Sequence, residues 1–238
     1  MARLRNPGGQ WQAYSAAAVA ALLVLHGCCG PVREQSVRRD DGLPDEEDDR
    51  GFVDLLSPAR AGDWRQCGPG RFVVLDGVAA GEGGMGLWWY SGRTFEDFVL
   101  RGEFVQEQPI ADSGIFLRFP DPGGDPWVAV NSGHEMEIGD PDPADPTWRT
   151  GSIYPFCASA RANTNPPGQW NRYEIACIGH RYRVRINGET VLDWTDPKER
   201  TLKGYIGLQN YPDDKVVRHR RLRILPLTDY DGESSSTH

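Results

Sequence analysis

The sequence predicts an all-β domain of two antiparallel sheets packed face to face, as a sandwich or jelly roll. The main observation is a series of short runs in which apolar and polar residues alternate, the pattern of half-buried strands. No helical period extends beyond two turns, and turn residues are frequent, with 28 Gly and 18 Pro among 238 residues. Many short strands in one domain favour a two-sheet architecture.

The predicted strands follow one another from residue 72 to residue 224. In chain order they are Phe72–Leu75, Leu87–Tyr90, Phe98–Phe104, Gly114–Phe119, Trp127–Val130, Glu135–Ile138, Arg172–Ile178, Tyr182–Ile186, Glu189–Trp194, Tyr205–Gln209 and Val216–Ile224. Asn187-Gly188 predicts a tight hairpin turn, because both central residues of such a turn need a positive φ. Loops are expected at Pro141–Pro146 and Ala160–Gly168.

Charge and cysteine content exclude two classes of function. The net charge of −8 argues against a nucleic-acid partner, because a phosphate backbone requires clustered Lys and Arg. The five Cys form no CxxC motif and no His/Cys cluster, which argues against a zinc site. The residue pattern predicts no cofactor.

Three cysteines lie singly within the predicted domain. Strand alternation places Cys177 on the core side, so we expect a buried free thiol there. Cys67 and Cys157 fall near strand ends or loops, and a disulfide between two of the three stays open at this point.

The first 28 residues are typical of a lipoprotein signal peptide. Arg3 and Arg5 form the positively charged N-terminal region, and Ala16–Leu25 is an apolar run too short for a membrane span. The following Leu25-His26-Gly27-Cys28 resembles a bacterial lipobox, in which Cys28 would receive the lipid. We therefore expect an exported, membrane-anchored protein in the periplasm or at the cell surface, with ordinary secretion as the alternative.

The rest of the chain divides by composition into three parts. Residues 29–50 contain runs of Asp and Glu and little apolar surface, which predicts an acidic disordered linker. Residues 51–227 form the jelly-roll domain, and residues 228–238 are expected to be a disordered tail.

Two glutamates on one predicted strand are the strongest candidates for a site. In Glu135–Ile138, Glu135 and Glu137 point to one face, while Met136 and Ile138 point to the other. Adjacent carboxylates without a nearby Lys repel each other, which favours a functional site. A solvated outer face is the alternative. His134 falls on the Met136 side and is expected to be structural.

Six motifs follow one another in order along the predicted domain. They are Asp112-Ser-Gly-Ile-Phe-Leu-Arg118, Gly133-His-Glu-Met-Glu-Ile-Gly-Asp140, Thr150-Gly-Ser-Ile-Tyr154, Gln169-Trp-Asn-Arg-Tyr-Glu-Ile175, Ile186-Asn-Gly188 and Gly204-Tyr-Ile-Gly-Leu-Gln-Asn210. In this order they resemble one known family, the 3-keto-disaccharide hydrolase domain, over about residues 51–226. This resemblance implies a concanavalin-like, glucanase-like jelly roll and a carbohydrate substrate, with cleavage of 3-keto-glycosides as the expected activity.

Some positions match the family pattern and others depart from it. The matching positions are Arg118, Glu135, Asp140, Tyr154, Gln209 and Arg220. The chain has Asp112 and Glu137 where the family usually has Asn and Gln, Tyr211 where it has His, and His219-Arg220-Arg221 in place of Phe-Arg-Asn. The changes between carboxylate and amide alter which groups can carry a proton.

The expected reaction assigns roles to these residues. A ketone at C3 of a sugar acidifies the hydrogen at C2, so the site needs a base, a proton donor for the leaving oxygen and donors for the enolate oxygen. Glu135 and Glu137 are the catalytic candidates, because their repulsion should raise one pKa. The substrate-binding candidates are Arg118, Tyr154, Gln209, Asp140 and Arg220. Arg118 could instead pair with Glu135 across strands.

Two other functions share the predicted fold. The spacing Glu135-x-Glu137-x-x-Asp140 resembles a strand of glycoside hydrolase family 16, although the order of the acids differs. Retaining and inverting glycosidases differ in carboxylate separation, and strand spacing alone does not choose between them. A non-catalytic, lectin-like domain is the main alternative, with five tryptophans as candidates for stacking on sugar rings: Trp88, Trp89, Trp127, Trp148 and Trp170.

Overall fold

The predicted two-sheet antiparallel fold is confirmed. A computed structural model of the chain describes Arg39 and residues 42–109, 112–139, 145–210 and 216–227. These residues form an eight-stranded sheet and a six-stranded sheet, in which every strand pairs with its neighbours in antiparallel orientation. Cys28 and Asp140 lie outside the described residues, as does the predicted C-terminal tail.

The larger sheet has eight strands, seven of which form one continuous series of hydrogen-bonded neighbours. Its strands are β1 (Val53–Asp54), β3 (Arg71–Leu75), β4 (Val78–Glu82), β6 (Phe98–Gln106), β10 (Asn171–Ile178), β11 (Arg181–Ile186), β12 (Glu189–Thr195) and β14 (Val217–Pro226). The spatial order is β12-β11-β10-β6-β14-β4-β3, with β1 paired to β14. β5 lies between β4 and β6 in sequence but belongs to the smaller sheet, so the chain crosses to that sheet after β4 and returns at β6.

The smaller sheet carries the predicted glutamate strand. Its members are β2 (Trp64–Cys67), β5 (Gly86–Phe95), β7 (Ser113–Phe119), β8 (His134–Ile138), β9 (Ile153–Tyr154) and β13 (Gly204–Asn210), in the order β2-β5-β13-β7-β8-β9. The helices are α1 (Trp127–Ser132) and two 3-10 turns, Pro58–Asp63 and Pro146–Trp148. None of the described helices is long and apolar enough to cross a membrane.

The core lies between the inner faces of the two sheets. Phe98, Leu100 and Phe104 point inward from the larger sheet and are fully buried. Leu117 and Met136 meet them from the smaller sheet. Because each strand turns its inner face to this core, the outer face of the smaller sheet is not part of the core and can carry a binding site.

The hairpin and the thiol predicted from the sequence are confirmed. Asn187 and Gly188 both have positive φ, 49° and 84°, and they join β11 to β12. Cys177 is a fully buried free thiol, and burial raises its pKa to about 12. Cys67 and Cys157 are also free, so the open disulfide pairing is not formed.

The segment Trp127–Val130 was predicted to be a strand, and that prediction is wrong. Helix α1 begins there because Asp125-Pro126 provides a start: the carboxylate of Asp125 accepts a hydrogen bond from the Trp127 N–H at 3.0 Å. Proline tolerates the first turn of a helix, where its missing N–H is not needed. Ala129 is the one buried residue of the helix, and it packs under the smaller sheet's outer face.

The prediction of a disordered linker is wrong for residues 42–50. Leu43 is 3 % exposed and packs on the outer face of the larger sheet. Arg101 donates hydrogen bonds to three backbone carbonyls of this segment, those of Pro44, Asp45 and Asp48. A buried guanidinium needs partners, and the acidic segment supplies them.

Candidate active site

Strand β8 divides its side chains as the alternation predicts. Met136 and Ile138 lie in the core, whereas Glu135 and Glu137 point to the opposite face of the smaller sheet. The predicted orientation of His134 is also confirmed, because its Nδ1 accepts a hydrogen bond from Tyr182 and its Nε2 contacts Asp196 at 3.1 Å. His134 is therefore a partnered structural residue and is separate from the two glutamates.

Glu135 and Glu137 line a cleft of about 240 Å³ on the outer face of the smaller sheet. The full described lining is Met85, Asp112, Trp127, Val130, Glu135, Glu137, Trp148, Tyr154 and Gln209. Both glutamates are buried, with 4 % and 6 % of their surface exposed, so the cleft is narrow around them. The cleft therefore brings together carboxyl groups, one amide group, one phenol ring and two indole rings.

Two glycines, one on β7 and one directly after β8, leave the space that the glutamate side chains occupy. Gly114 lies opposite Glu137 in the register of β7 and β8, and a Cβ at Gly114 would collide with the carboxyl group of Glu135. A Cβ at Gly139 would lie 2.8 Å from Oε1 of Glu137. Side chains at these positions would displace the carboxyl groups, so the glycines serve the site rather than a turn.

Burial and like charge raise both glutamate pKa values. Burial, with the nearby charge of Asp112, raises the pKa of Glu135 to about 8. Burial raises the pKa of Glu137 well above its usual range, and Glu135, Asp112 and Asp145 raise it further. At neutral pH the two groups therefore retain protons that ordinary glutamates would lose.

Two side-chain oxygens of residues that line the cleft have no partner among the described residues. They are Oε1 of Glu135 and Oε1 of Gln209, both with almost no accessible surface. Tyr154 lies directly opposite Glu135 in the pairing of β8 with β9, and its pKa is raised by burial and by the neighbouring carboxylates. Buried polar atoms are usually hydrogen-bonded, so unpartnered ones in a cleft indicate a place for a ligand.

Two of the five candidate tryptophans flank the cleft. Trp127 is 51 % exposed and Trp148 is 42 % exposed. The other three are placed elsewhere, since Trp88 stacks on Trp64 in the core, Trp89 packs with Phe119, and Trp170 lies under Arg220. Only Trp127 and Trp148, among the five, line the cleft in the described structure.

The expectation that Arg118 lines the cleft is wrong. Arg118 has a positive φ of 55° and forms a bulge in β7, because Leu117 and Phe119 pair with consecutive residues of β13. The bulge breaks the alternation and turns the side chain into the interior, where it is 0 % exposed.

The guanidinium of Arg118 is occupied by structural partners. It donates to Asp97 at 3.0 Å and to the backbone carbonyls of Glu96 and Gly179. The alternative cross-strand pair with Glu135 is also absent from the described structure, since Phe116 is the residue that lies opposite Glu135.

Arg220 is likewise placed away from the cleft, on β14 of the larger sheet. Its Nε donates to Glu103 at 2.6 Å, and its guanidinium lies 3.9 Å from the ring centre of Trp170. The expected substrate-binding role of Arg220 is therefore wrong for this cleft.

Asp112 is the site residue that sequence reasoning did not select. It precedes β7, lines the cleft and raises the pKa of both glutamates. The sequence feature that could have identified it is the carboxylate of Asp112 at the start of the Asp112-Ser-Gly motif. Within the described ranges, no group of three His, Cys, Asp or Glu side chains converges closely enough to hold a metal ion.

The family model of the 3-keto-alpha-glucoside-1,2-lyase-like domain matches residues 48–225. The chain belongs to this family. Membership makes it a carbohydrate-related jelly-roll domain, and the matched residues contain every element of the cleft described above. No curated protein matches the chain significantly.

Several solved structures have folds similar to that of this chain. A "putative glycosyl hydrolase" from Parabacteroides distasonis aligns with a TM-score of 0.63 and 21 % identity, covering 74 % of this chain and 99 % of that one. A second protein of the same description and organism gives 0.62 and 16 %, covering 78 % and 98 %. The carbohydrate binding module CBM66 from Bacillus subtilis gives 0.51 and 12 %, covering 67 % and 93 %. At these identities the likeness shows the fold alone.

Proposed function

We propose that the cleft cleaves 3-keto-glycosides by elimination followed by hydration. The observation that carries this proposal is the pair Glu135 and Glu137, buried side by side on one strand face with raised pKa values. Such pairs provide a base and a proton donor near neutral pH, which proton abstraction next to a ketone requires.

The first step removes the proton at C2 of the sugar. Glu135, whose pKa is raised to about 8, takes this proton, and the C2–H electrons move to the C3 oxygen to give an enolate. The Tyr154 hydroxyl and the Gln209 amide are the neutral donors that line the cleft and could stabilise the enolate oxygen. Arg118 has no part in this step, because it is buried elsewhere.

The second step breaks the bond between C1 and the leaving oxygen. The enolate electrons form the C1–C2 double bond as the leaving group departs, and Glu137, which holds its proton most strongly, protonates the departing oxygen. Water then adds across the double bond, with OH at C1 and H at C2, to give the free 3-keto sugar. The net result is hydrolysis without attack on an ordinary glycosidic bond.

The rate should depend on pH in a way that follows from the base. Because Glu135 acts only when ionised, kcat/KM should rise about tenfold per pH unit up to about pH 8 and then level off. A pH profile of aglycone release from a 3-keto-glucoside measures this, with the Glu135→Gln variant as the background at each pH. A profile that is flat or falls across neutral pH would argue against Glu135 as the base.

A non-catalytic carbohydrate-binding function is the second candidate. The exposed rings of Trp127 and Trp148 at the cleft favour it, since such rings stack on sugars in binding domains as well as in enzymes. The test is to incubate the domain with 3-keto-glucosides and with plain glucosides and to measure free aglycone. Release from the 3-keto form alone supports the lyase proposal, and binding without release supports the second candidate.

The proposed location is outside the cytoplasm, with a lipid on Cys28. The sequence Leu25–Cys28 supports it. Replacing Cys28 by Ala should move the protein from the membrane fraction to the soluble exported fraction, measured by fractionation and blotting. Cys29→Ala is the matched control and should leave the protein in the membrane fraction. Identical partitioning of Cys28→Ala and the unaltered chain would contradict the anchor.

A further inference from the structure

The segment Thr150-Gly-Ser152 has no role in the proposed reaction, although it lies fully buried beside the cleft. Thr150 and Ser152 are both 0 % exposed. The segment directly precedes β9, the edge strand of the smaller sheet, which carries Tyr154. Strand β9 has 2 residues, fewer than the roughly three to ten of most strands, so its pairing with β8 needs other support.

This segment binds both backbone polar groups of Glu137. The N–H of Glu137 donates to the carbonyl of Ser152 at 3.0 Å, and the carbonyl of Glu137 accepts from the N–H of Gly151 at 2.9 Å. The regular pairing of β8 with β9 ends one residue earlier, at Met136 and Ile153. The segment therefore extends the support of β8 to the proposed proton donor.

The hydroxyl group of Thr150 binds the residue that follows β8. It accepts from the N–H of Gly139 at 3.1 Å and donates to the carbonyl of Gly139 at 2.8 Å, so it acts as donor and acceptor at once. A Cβ at Gly139 would lie 2.8 Å from Oε1 of Glu137, so the carboxyl group of Glu137 rests against the backbone of Gly139. Thr150 holds that backbone in place.

A second hydroxyl group fixes Thr150 itself. Ser159 is 2 % exposed, and its hydroxyl donates to the carbonyl of Thr150 at 3.0 Å. The N–H of Ser159 donates to the hydroxyl oxygen of Ser152, also at 3.0 Å. Buried polar groups are stable only when they have partners, and these contacts join the segment firmly to the end of β8. They lead, through Gly139, to the carboxyl group of Glu137.

We propose that Thr150 is a positioning residue, whose hydroxyl group holds the Glu137 carboxyl group, through the backbone of Gly139, where it protonates the leaving oxygen. The proposal rests on the proposed function and adds a residue to its second step. The bonds formed and broken in that step are unchanged. An acid must meet the leaving oxygen at hydrogen-bond distance, and a displacement of about 1 Å can cost about 10²-fold in rate.

The test uses two substrates that differ in the leaving group, methyl and 4-nitrophenyl 3-keto-glucoside. A methoxy group needs a proton to depart, whereas 4-nitrophenolate is a stable anion that departs without one. Thr150→Val keeps the shape of the side chain and removes the hydroxyl. It should lower kcat for the methyl substrate by about 10–100-fold and kcat for the 4-nitrophenyl substrate much less. Thr150→Ser restores the hydroxyl and should recover most of the rate.

Ser91→Ala is the matched control for the loss of a hydroxyl group. The hydroxyl of Ser91 donates to the backbone carbonyl of Asp63 at 2.7 Å, and its strand β5 is separated from β8 by β13 and β7. This variant should retain both rates. Equal losses for the two leaving groups in Thr150→Val, or a loss that Thr150→Ser does not recover, would overturn the positioning role.

A measurement without turnover separates this proposal from the proposed function. Burial raises the pKa of Glu137 well above its ordinary value. A carboxyl group released from its buried position has a lower pKa, so Thr150→Val should lower this pKa and Thr150→Ser should restore it. Carboxyl ¹³C NMR titration measures both, with the Glu137 signal assigned by its loss in Glu137→Gln. Ser159→Ala should show a smaller change in the same direction, and it replaces Thr150→Val if that variant does not fold.

The two measurements fail in different ways. If the unaltered protein releases neither leaving group, the proposed function fails, and the titration still decides whether Thr150 positions Glu137. If the unaltered protein releases both leaving groups and the pKa of Glu137 is the same in the folded variants, the positioning role is overturned and the proposed function stands.

Discussion

Replacing Glu135 by Gln should lower the rate of aglycone release from a 3-keto-glycoside by about 10²–10⁴-fold, the usual contribution of a positioned base. Gln keeps the shape of the side chain, which matters because Gly114 leaves just enough room for it. The amide cannot accept the C2 proton, so the loss should appear in kcat more than in KM. Steady-state kinetics on a 3-keto-glucoside with a chromogenic leaving group measures both.

The matched control is Glu137→Gln, the same change on the same strand face. An amide there still donates a hydrogen bond to the departing oxygen, so we expect a smaller loss than for Glu135→Gln, or even a gain. Glu137 keeps its proton while Glu135 ionises, so a neutral Gln at residue 137 should leave the rise of the pH profile where it is. A Glu135→Gln variant with unchanged kinetics would remove the assignment of Glu135 as the base.

Replacing Arg118 by Met should destabilise the fold by about 3–5 kcal/mol, the range observed when one partner of a buried charge pair is removed. Met fills similar volume but leaves Asp97 and two backbone carbonyls without their donor. Thermal unfolding followed by circular dichroism should show a melting temperature lower by about 10 °C or more.

The control for Arg118 is Arg161→Met, an exposed arginine paired with Glu189. Surface ion pairs contribute little, so its melting temperature should stay close to that of the unaltered protein. Folded Arg118→Met protein should retain kcat, because the side chain lies away from the cleft. Unchanged stability together with lost activity would instead support the substrate-binding role that the sequence suggested.

The faces of β8 were predictable because strand alternation is a local property. Glu135 and Glu137 share one face and Met136 and Ile138 the other, as the two-residue period requires. The hairpin at Asn187-Gly188 was predictable for the same reason, since its turn chemistry resides in two adjacent residues. Fold class followed from many such local patterns that agree with one another.

The position of Arg118 could not be predicted from alternation. Its strand contains one extra residue relative to β13, and this bulge sends the side chain to the interior. Nothing in the Leu117-Arg118-Phe119 sequence marks the extra residue, because the register is set by the partner strand. Bulges are a property of pairing rather than of the single strand.

Asp112 and Trp127 were missed as neighbours of the glutamates for a related reason. They join the cleft through a loop before β7 and a short helix after it, and periodic patterns carry no information about where such segments fold. Trp127–Val130 also contains two valines, which favour a strand, whereas the Asp125-Pro126 start determines a helix. Tertiary packing of Ala129 then outweighs the local propensity.

The most direct test of the central claim is the fate of the hydrogen at C2. A 3-keto-glucoside is incubated with the protein in D2O, and the released 3-keto sugar is examined by NMR and mass spectrometry. Elimination and hydration predict one deuterium at C2 of the product, formed at the rate of aglycone release and far more slowly with Glu135→Gln. Aglycone released with hydrogen retained at C2 would show direct hydrolysis at C1 and would contradict the proposed mechanism.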